Sequence, residues 1–190
     1  MDSEGSLCIY KQSTETFEWG LQHHPIDEKD WVYQWVVIDP RQKKTYEQAD
    51  EMLSHSKVLE IKIQSFEQKY DIRDYADELF AFANQRKAVI LMHPHYISQM
   101  SLFADKYPDM KLLIAYLASK EHVDAIANAK HGNIDTDTSG GASARNNIVE
   151  YAVSRVGSQK ILFGTDTYCD ALEYPRRSLW SERRGLLLQA

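Results

Sequence analysis

Val89-Ile90-Leu91-Met92-His93-Pro94-His95 and Ile161-Leu162-Phe163-Gly164-Thr165-Asp166 are two apolar runs, far apart in the chain, that each end in side chains able to hold a metal or move a proton. Short apolar runs bounded by turn residues read as buried strands. In a parallel α/β protein the carboxyl ends of such strands converge on one face, so His93 and Asp166 can share a ligand there. The simplest shared ligand is a divalent metal.

Outward from these runs the chain keeps a regular rhythm of strand and helix signals. Strands are expected at Val32 to Ile38, Val58 to Gln64, Ala88 to His93, Lys111 to Tyr116, Asn133 to Thr138 and Lys160 to Phe163. Helices are expected between them, at about Thr45 to Ser54, Arg73 to Gln85, Ile97 to Lys106, Ser119 to Ala129 and Ala142 to Val156. Asp39-Pro40, Tyr107-Pro108, His131-Gly132 and Gly157 act as stops, and Ser119 is a candidate cap. The third strand reads as continuous, which implies cover on both of its faces. Trp31, Tyr33 and Trp35 alternate along the first strand as ordinary packing. Thr16 to His23 has the look of a short helix, but residues 1–30 and 176–190 lack a firm pattern. A single domain over 1–190 follows from the length.

Composition narrows the function classes. Twenty-two basic and 28 acidic residues give a net charge of -6, with the signs interspersed, so nucleic acid and anionic membrane are not expected partners. A small-molecule substrate is. With two cysteines, Cys8 and Cys169, and no signal-peptide pattern, a cytoplasmic protein is expected. No apolar run approaches the roughly 20 residues that cross a bilayer.

Each candidate residue also has a plainer reading. His93, at the end of a buried strand, can present an imidazole nitrogen to a metal or serve as an ordinary hydrogen-bonded histidine. Asp166 can bind metal, act as general base toward a metal-bound water, or cap a turn. His95 shares the i, i+2 face of His93, although Pro94 tends to end the strand and turn it away. His23, His24, His55, His122 and His131 lie in helices or turns without partner spacing and read as surface residues.

Taken in order, Asp39-Pro40-Arg41, Glu60-Ile61-Lys62-Ile63, the strand ending in His93, Lys111 to Leu117, Asp135-Thr136-Asp137-Thr138-Ser139-Gly140 and Phe163-Gly164-Thr165-Asp166 resemble the amidohydrolase-related family. The resemblance implies a partial or complete (β/α)8 TIM-barrel-like fold, with the six strands corresponding to the third to eighth of the family barrel. It also implies metal-dependent hydrolysis or decarboxylation. The first family strand, with its His-x-His ligands, then has no counterpart, and Tyr116 stands where the family carries a histidine. An unperturbed phenol titrates near ~10, so Tyr116 cannot replace imidazole as a base near neutrality. Family position puts Lys62 at the pocket, able to meet an anion or, if carboxylated, a metal; its plainer role is an ion pair with Glu60 or Asp137. Asp137 and the following Ser139-Gly140-Gly141 lead into a helix whose backbone donors can receive a carboxylate or phosphate.

These features lead to a metal-dependent hydrolase as the first expectation, zinc foremost, with His93 and Asp166 as ligands, Asp166 as base, and Lys62, His95, Tyr116 and Asp137 toward the substrate. A decarboxylase on the same metal is the near variant. The rival is a noncatalytic barrel remnant or interaction module that dimerises through open sheet edges. A doubly wound nucleotide-binding sheet ranks below both, because no Gly-x-Gly-x-x-Gly follows an early strand.

Overall fold

A computed structural model describes residues 34–55, 58–66, 68–93, 96–139 and 147–164. In them six strands and five α-helices alternate: β1 Gln34–Val37, α1 Lys43–Met52, β2 Val58–Ile63, α2 Ala76–Arg86, β3 Val89–Met92, α3 Ile97–Lys106, β4 Lys111–Ile114, α4 Lys120–Asn128, β5 Ile134–Asp137, α5 Ile148–Val156 and β6 Ile161–Leu162. Short 3-10 turns at Ile72–Asp74 and Ser158–Lys160 precede α2 and β6. Every strand is parallel to its neighbours, and the spatial order β1-β2-β3-β4-β5-β6 is the chain order. That is the order of a barrel wall. A doubly wound sheet instead reverses its strand order at a switch point, so that alternative is set aside.

The register sorts side chains into two faces, because alternate residues of a strand point to opposite sides. Val36, Ile61, Ile90, Leu112 and Ile134 stand in one row, and Ile63, Met92, Ile114 and Thr136 in the next. All are fully or almost fully buried, and the apolar ones form the main core with helix residues Ala49, Leu79, Phe80, Ala83, Met100, Ala104 and Ile126. The i, i+3, i+4, i+7 spacing of Ala76, Leu79, Phe80 and Ala83 gives α2 the stripe that packs there. The opposite row is Val37, Lys62, Leu91, Leu113 and Asp135.

This two-sidedness corrects one expectation. β3 alternates half-buried Val89 and Leu91 with buried Ile90 and Met92, so its two faces are not equally covered. A continuous apolar run does not distinguish a strand covered equally on both faces from one whose second face is only partly covered. On that second face, near the amino ends of the strands, the buried Asp135 carboxylate lies 3.1 Å from Lys111 Nζ and 3.0 Å from Lys160 Nζ. Lys160 also donates to the Gly132 carbonyl, tying the turn before β5 to the one before β6.

Strands stop a residue or two before the sequence suggests, while α3 spans Ile97–Lys106 as expected. Ser119 occupies the cap position of α4, yet its hydroxyl makes no capping bond and instead meets His122 Nδ1 at 3.1 Å. Trp31, Tyr33, Thr16 to His23, residues 1–30 and residues 176–190 lie outside the described residues. Lys87 closes α2 in the left-handed region at φ 52°, a conformation that favours glycine. Because Lys87 is exposed, Lys87→Gly should stabilise the fold by up to about 1 kcal/mol in urea unfolding.

Candidate active site at the strand carboxyl ends

Sequential parallel order brings the carboxyl ends of β1 to β6 to one edge of the sheet. Asp39, Gln64, His93, Tyr116 and Asp137 come just after or at the ends of β1 to β5. Lys62 lies one layer deeper on the face away from the helices and is buried.

His93 and Tyr116 meet there. Their ring centroids are 4.6 Å apart with planes inclined at 37°. The contact depends on an unusual backbone: Tyr116 sits in the left-handed region at φ 62°, uncommon for a bulky side chain. Such a conformation costs of order 1–3 kcal/mol and persists only where its surroundings enforce it. Asp137 does the enforcing. Its Oδ1 accepts from Tyr116 N at 3.2 Å, from Ser139 N at 2.8 Å and from the Ser139 hydroxyl. Leu117 N then donates to the Asp137 carbonyl at 2.9 Å, so β5 holds both sides of the Tyr116 bend.

At the β1 end the buried Asp39 carboxylate takes Arg41 Nε at 2.9 Å, Arg41 Nη2 at 2.8 Å, Arg41 N at 3.1 Å and Gln42 Nε2 at 3.0 Å. These bonds, those from the Arg41 side chain foremost, hold its carboxyl below the usual range against the opposing effect of burial. Thr45 Oγ1 donates to the Asp39 carbonyl at 2.8 Å and so ties the start of α1 to the same edge.

The structure places Lys62, His93, Tyr116 and Asp137 on this edge, and it joins His93, Tyr116 and Asp137 directly. Asp166, His95, Gly140 and Gly141 lie outside the described residues. The Ser139 N–H, expected to be available to an anion, is given to Asp137 instead.

Sequence reasoning missed His122. It was expected at the surface, but it is 5% exposed in the first turn of α4. Burial lowers its pKa, and the negative charges of Glu121 and Asp137 oppose that shift. The available signal was Ser119-x-x-His122, a spacing that turns the third helical residue back toward the cap. Folded His122 therefore takes up a proton less readily than the unfolded chain. Its contribution to stability is complete above the ordinary value of 6.5 and is lost as the pH falls below it. Unfolding midpoints measured from pH 8 to 5 should decline through this range, and His122→Gln should flatten the decline.

A catalytic zinc takes three protein ligands. Among the described residues no group of three or more His, Cys, Asp or Glu side chains is arranged to hold a metal. The donor set seen here is one imidazole, His93, beside a carboxylate engaged in three hydrogen bonds, so these residues alone do not fit a zinc centre.

Solved structures similar to this chain include amidohydrolase 2 from Bifidobacterium longum subsp. infantis, at 16% identity and TM-score 0.48, covering 76% of this chain and 68% of that one. Dihydroorotase from Campylobacter jejuni is similar at 14% identity and TM-score 0.45, covering 68% of this chain and 48% of that one. No curated protein matches the sequence. The Amidohydrolase family model matches residues 16–187, which takes in all six strands and the whole carboxyl-terminal edge just described. With nearly its full length accounted for in this way, the chain belongs to the amidohydrolase family.

Proposed function

We propose that this chain is a hydrolase of the amidohydrolase type, acting on a small carbonyl, amide or ester compound at the carboxyl ends of β2 to β6. The observation that carries the reading is the left-handed Tyr116, held by Asp137 with its ring against His93. Strained residues cluster at active sites, and barrel sites lie at the carboxyl ends of strands. In this reading the Lys62 ammonium faces the anionic part of the substrate and Tyr116 orients its carbonyl. Asp166 removes a proton from the attacking water. Asp137 acts through Tyr116 and lines the substrate side.

A divalent ion, zinc foremost, is proposed to be held by His93 and Asp166, with any further ligand coming from outside the described residues. When bound it would polarise a carbonyl and activate water. A decarboxylase would use the same edge to hold a carboxylated substrate against Lys62.

The test is elemental analysis of the purified protein beside His93→Ala and Asp166→Ala. Near-stoichiometric divalent metal, lost in both variants, is the expected result. Folded protein without metal in all three would sink it and favour a second reading, a noncatalytic interaction module. That second reading draws on one observation: among the described residues β1 and β6 each pair with one strand. It expects a dimer joined through sheet edges, visible in sedimentation.

A further inference from the structure

Gln64 follows Ile63, the last residue of β2, and the register of Ile63 with Met92 brings it beside His93. The register of Val37 with Lys62 brings Asp39 to its other side. By the pleat, Gln64 continues the face that carries Lys62, away from the helices. It is 3% exposed, and its side-chain oxygen has no hydrogen-bond partner. A buried amide oxygen without a donor is costly, and each such group in a native structure calls for an explanation.

The nearby backbone and guanidinium donors are spent. Gln68 N donates to the Gln64 carbonyl, Lys69 N to the Phe66 carbonyl and Tyr70 N to the Ser65 carbonyl, so the backbone of this turn closes on itself. Arg41 Nε, Arg41 Nη2 and Gln42 Nε2 are all given to the Asp39 carboxylate, which is itself an acceptor and has nothing to offer Gln64. Three further groups of the same turn, the Ser65 and Tyr70 hydroxyls and Gln68 Oε1, are also buried without partners. The turn after β2 thus carries four buried polar groups, Gln64 Oε1 among them, whose hydrogen-bonding capacity the fold leaves unmet.

We propose that Gln64 is a specificity-determining residue of this site, its buried oxygen receiving an N–H or O–H donor carried by the ligand beside His93. The inference rests on the strand carboxyl ends being a binding site, and its test reads binding alone, so it stands or falls apart from hydrolysis. Two probe pairs isolate the donor: benzamide against N,N-dimethylbenzamide for N–H, and benzyl alcohol against benzyl methyl ether for O–H. Dissociation constants from NMR titration of the wild-type chain should favour the donor-bearing member of at least one pair by about tenfold. Which pair responds identifies the donor.

Gln64→Leu should bring that ratio to about one. Gln64→Glu, which keeps an acceptor of the same reach, should retain it and serves as the reference if the leucine variant does not fold. Equal affinities in the wild-type chain would overturn the proposal and leave the oxygen to a bound water. So would a preference that survives in Gln64→Leu, a preference lost in a folded Gln64→Glu, or no binding of any probe. Donor preference without turnover of any amide or ester would keep this inference and remove the hydrolase reading.

Discussion

Asp137→Ala is expected to lower the stability of the protein by about 3 kcal/mol, since it removes the one acceptor shared by Tyr116 N, Ser139 N and the Ser139 hydroxyl. The cost comes mainly from half-buried donors left without partners. A second change follows from the same loss: without the Asp137 bond, Tyr116 relaxes out of its left-handed conformation and its ring leaves His93. Urea unfolding reads the first effect, and the chemical shifts of the His93 ring protons, which lie under the Tyr116 ring current, read the second. Asp137→Asn keeps one carboxamide oxygen in place and should recover most of both. A stable Asp137→Ala protein with unchanged His93 shifts would show that the bend is set by its own loop and that Asp137 is free for another task.

Phe80→Ala should be more damaging still, at about 3–5 kcal/mol. Phe80 is fully buried on α2, and its ring packs edge-on against Phe103 of α3 at 5.1 Å and lies 6.2 Å from Tyr107. Truncation opens a cavity where α2, α3 and the sheet meet, and the aromatic pairs add to the loss. Leu102, on the same helix as Phe103 but 67% exposed, is the matched control, and Leu102→Ala should stay within about 0.5 kcal/mol. Thermal unfolding of the two variants separates burial from mere hydrophobicity. Similar midpoints would mean that α2 and α3 are not packed as described.

The rhythm of strands and helices was legible because each change of period carries its own punctuation. Tyr107-Pro108 ends α3 where the sequence says, since proline cannot continue a helix and its predecessor avoids the helical region. The two faces of the sheet were harder to read. Leu91 and Ile90 are equally apolar, and only the register with neighbouring strands reveals that one is half-buried and the other in the core. For the candidate site, the place of His93 was legible from its strand end, while those of Lys62, Tyr116 and Asp137 came with the family resemblance. The link among them could not be read from either, because the left-handed turn at Tyr116 is not a conformation a tyrosine announces, and the carboxylate that secures it comes from the next strand. His122 escaped for a related reason: helical spacing alone gives no warning that a first turn lies against the strand ends.

Strand order that repeats chain order has a further consequence for how the molecule comes apart. Each βα unit is braced mainly by the unit before it and the unit after it, so local opening is expected to cost least at the ends of the row. Interior members β3 and β4 are supported from both sides, whereas β1 and β6 have one partner each among the described residues. Amide exchange should follow a gradient, slowest at Ile90, Leu112 and Ile114 and faster toward Val36 and Ile161, with opening events that begin at the ends and travel inward. The His93–Tyr116–Asp137 connection spans the slow-exchanging centre, so fraying at either end can change what enters the edge without disturbing the groups in its middle.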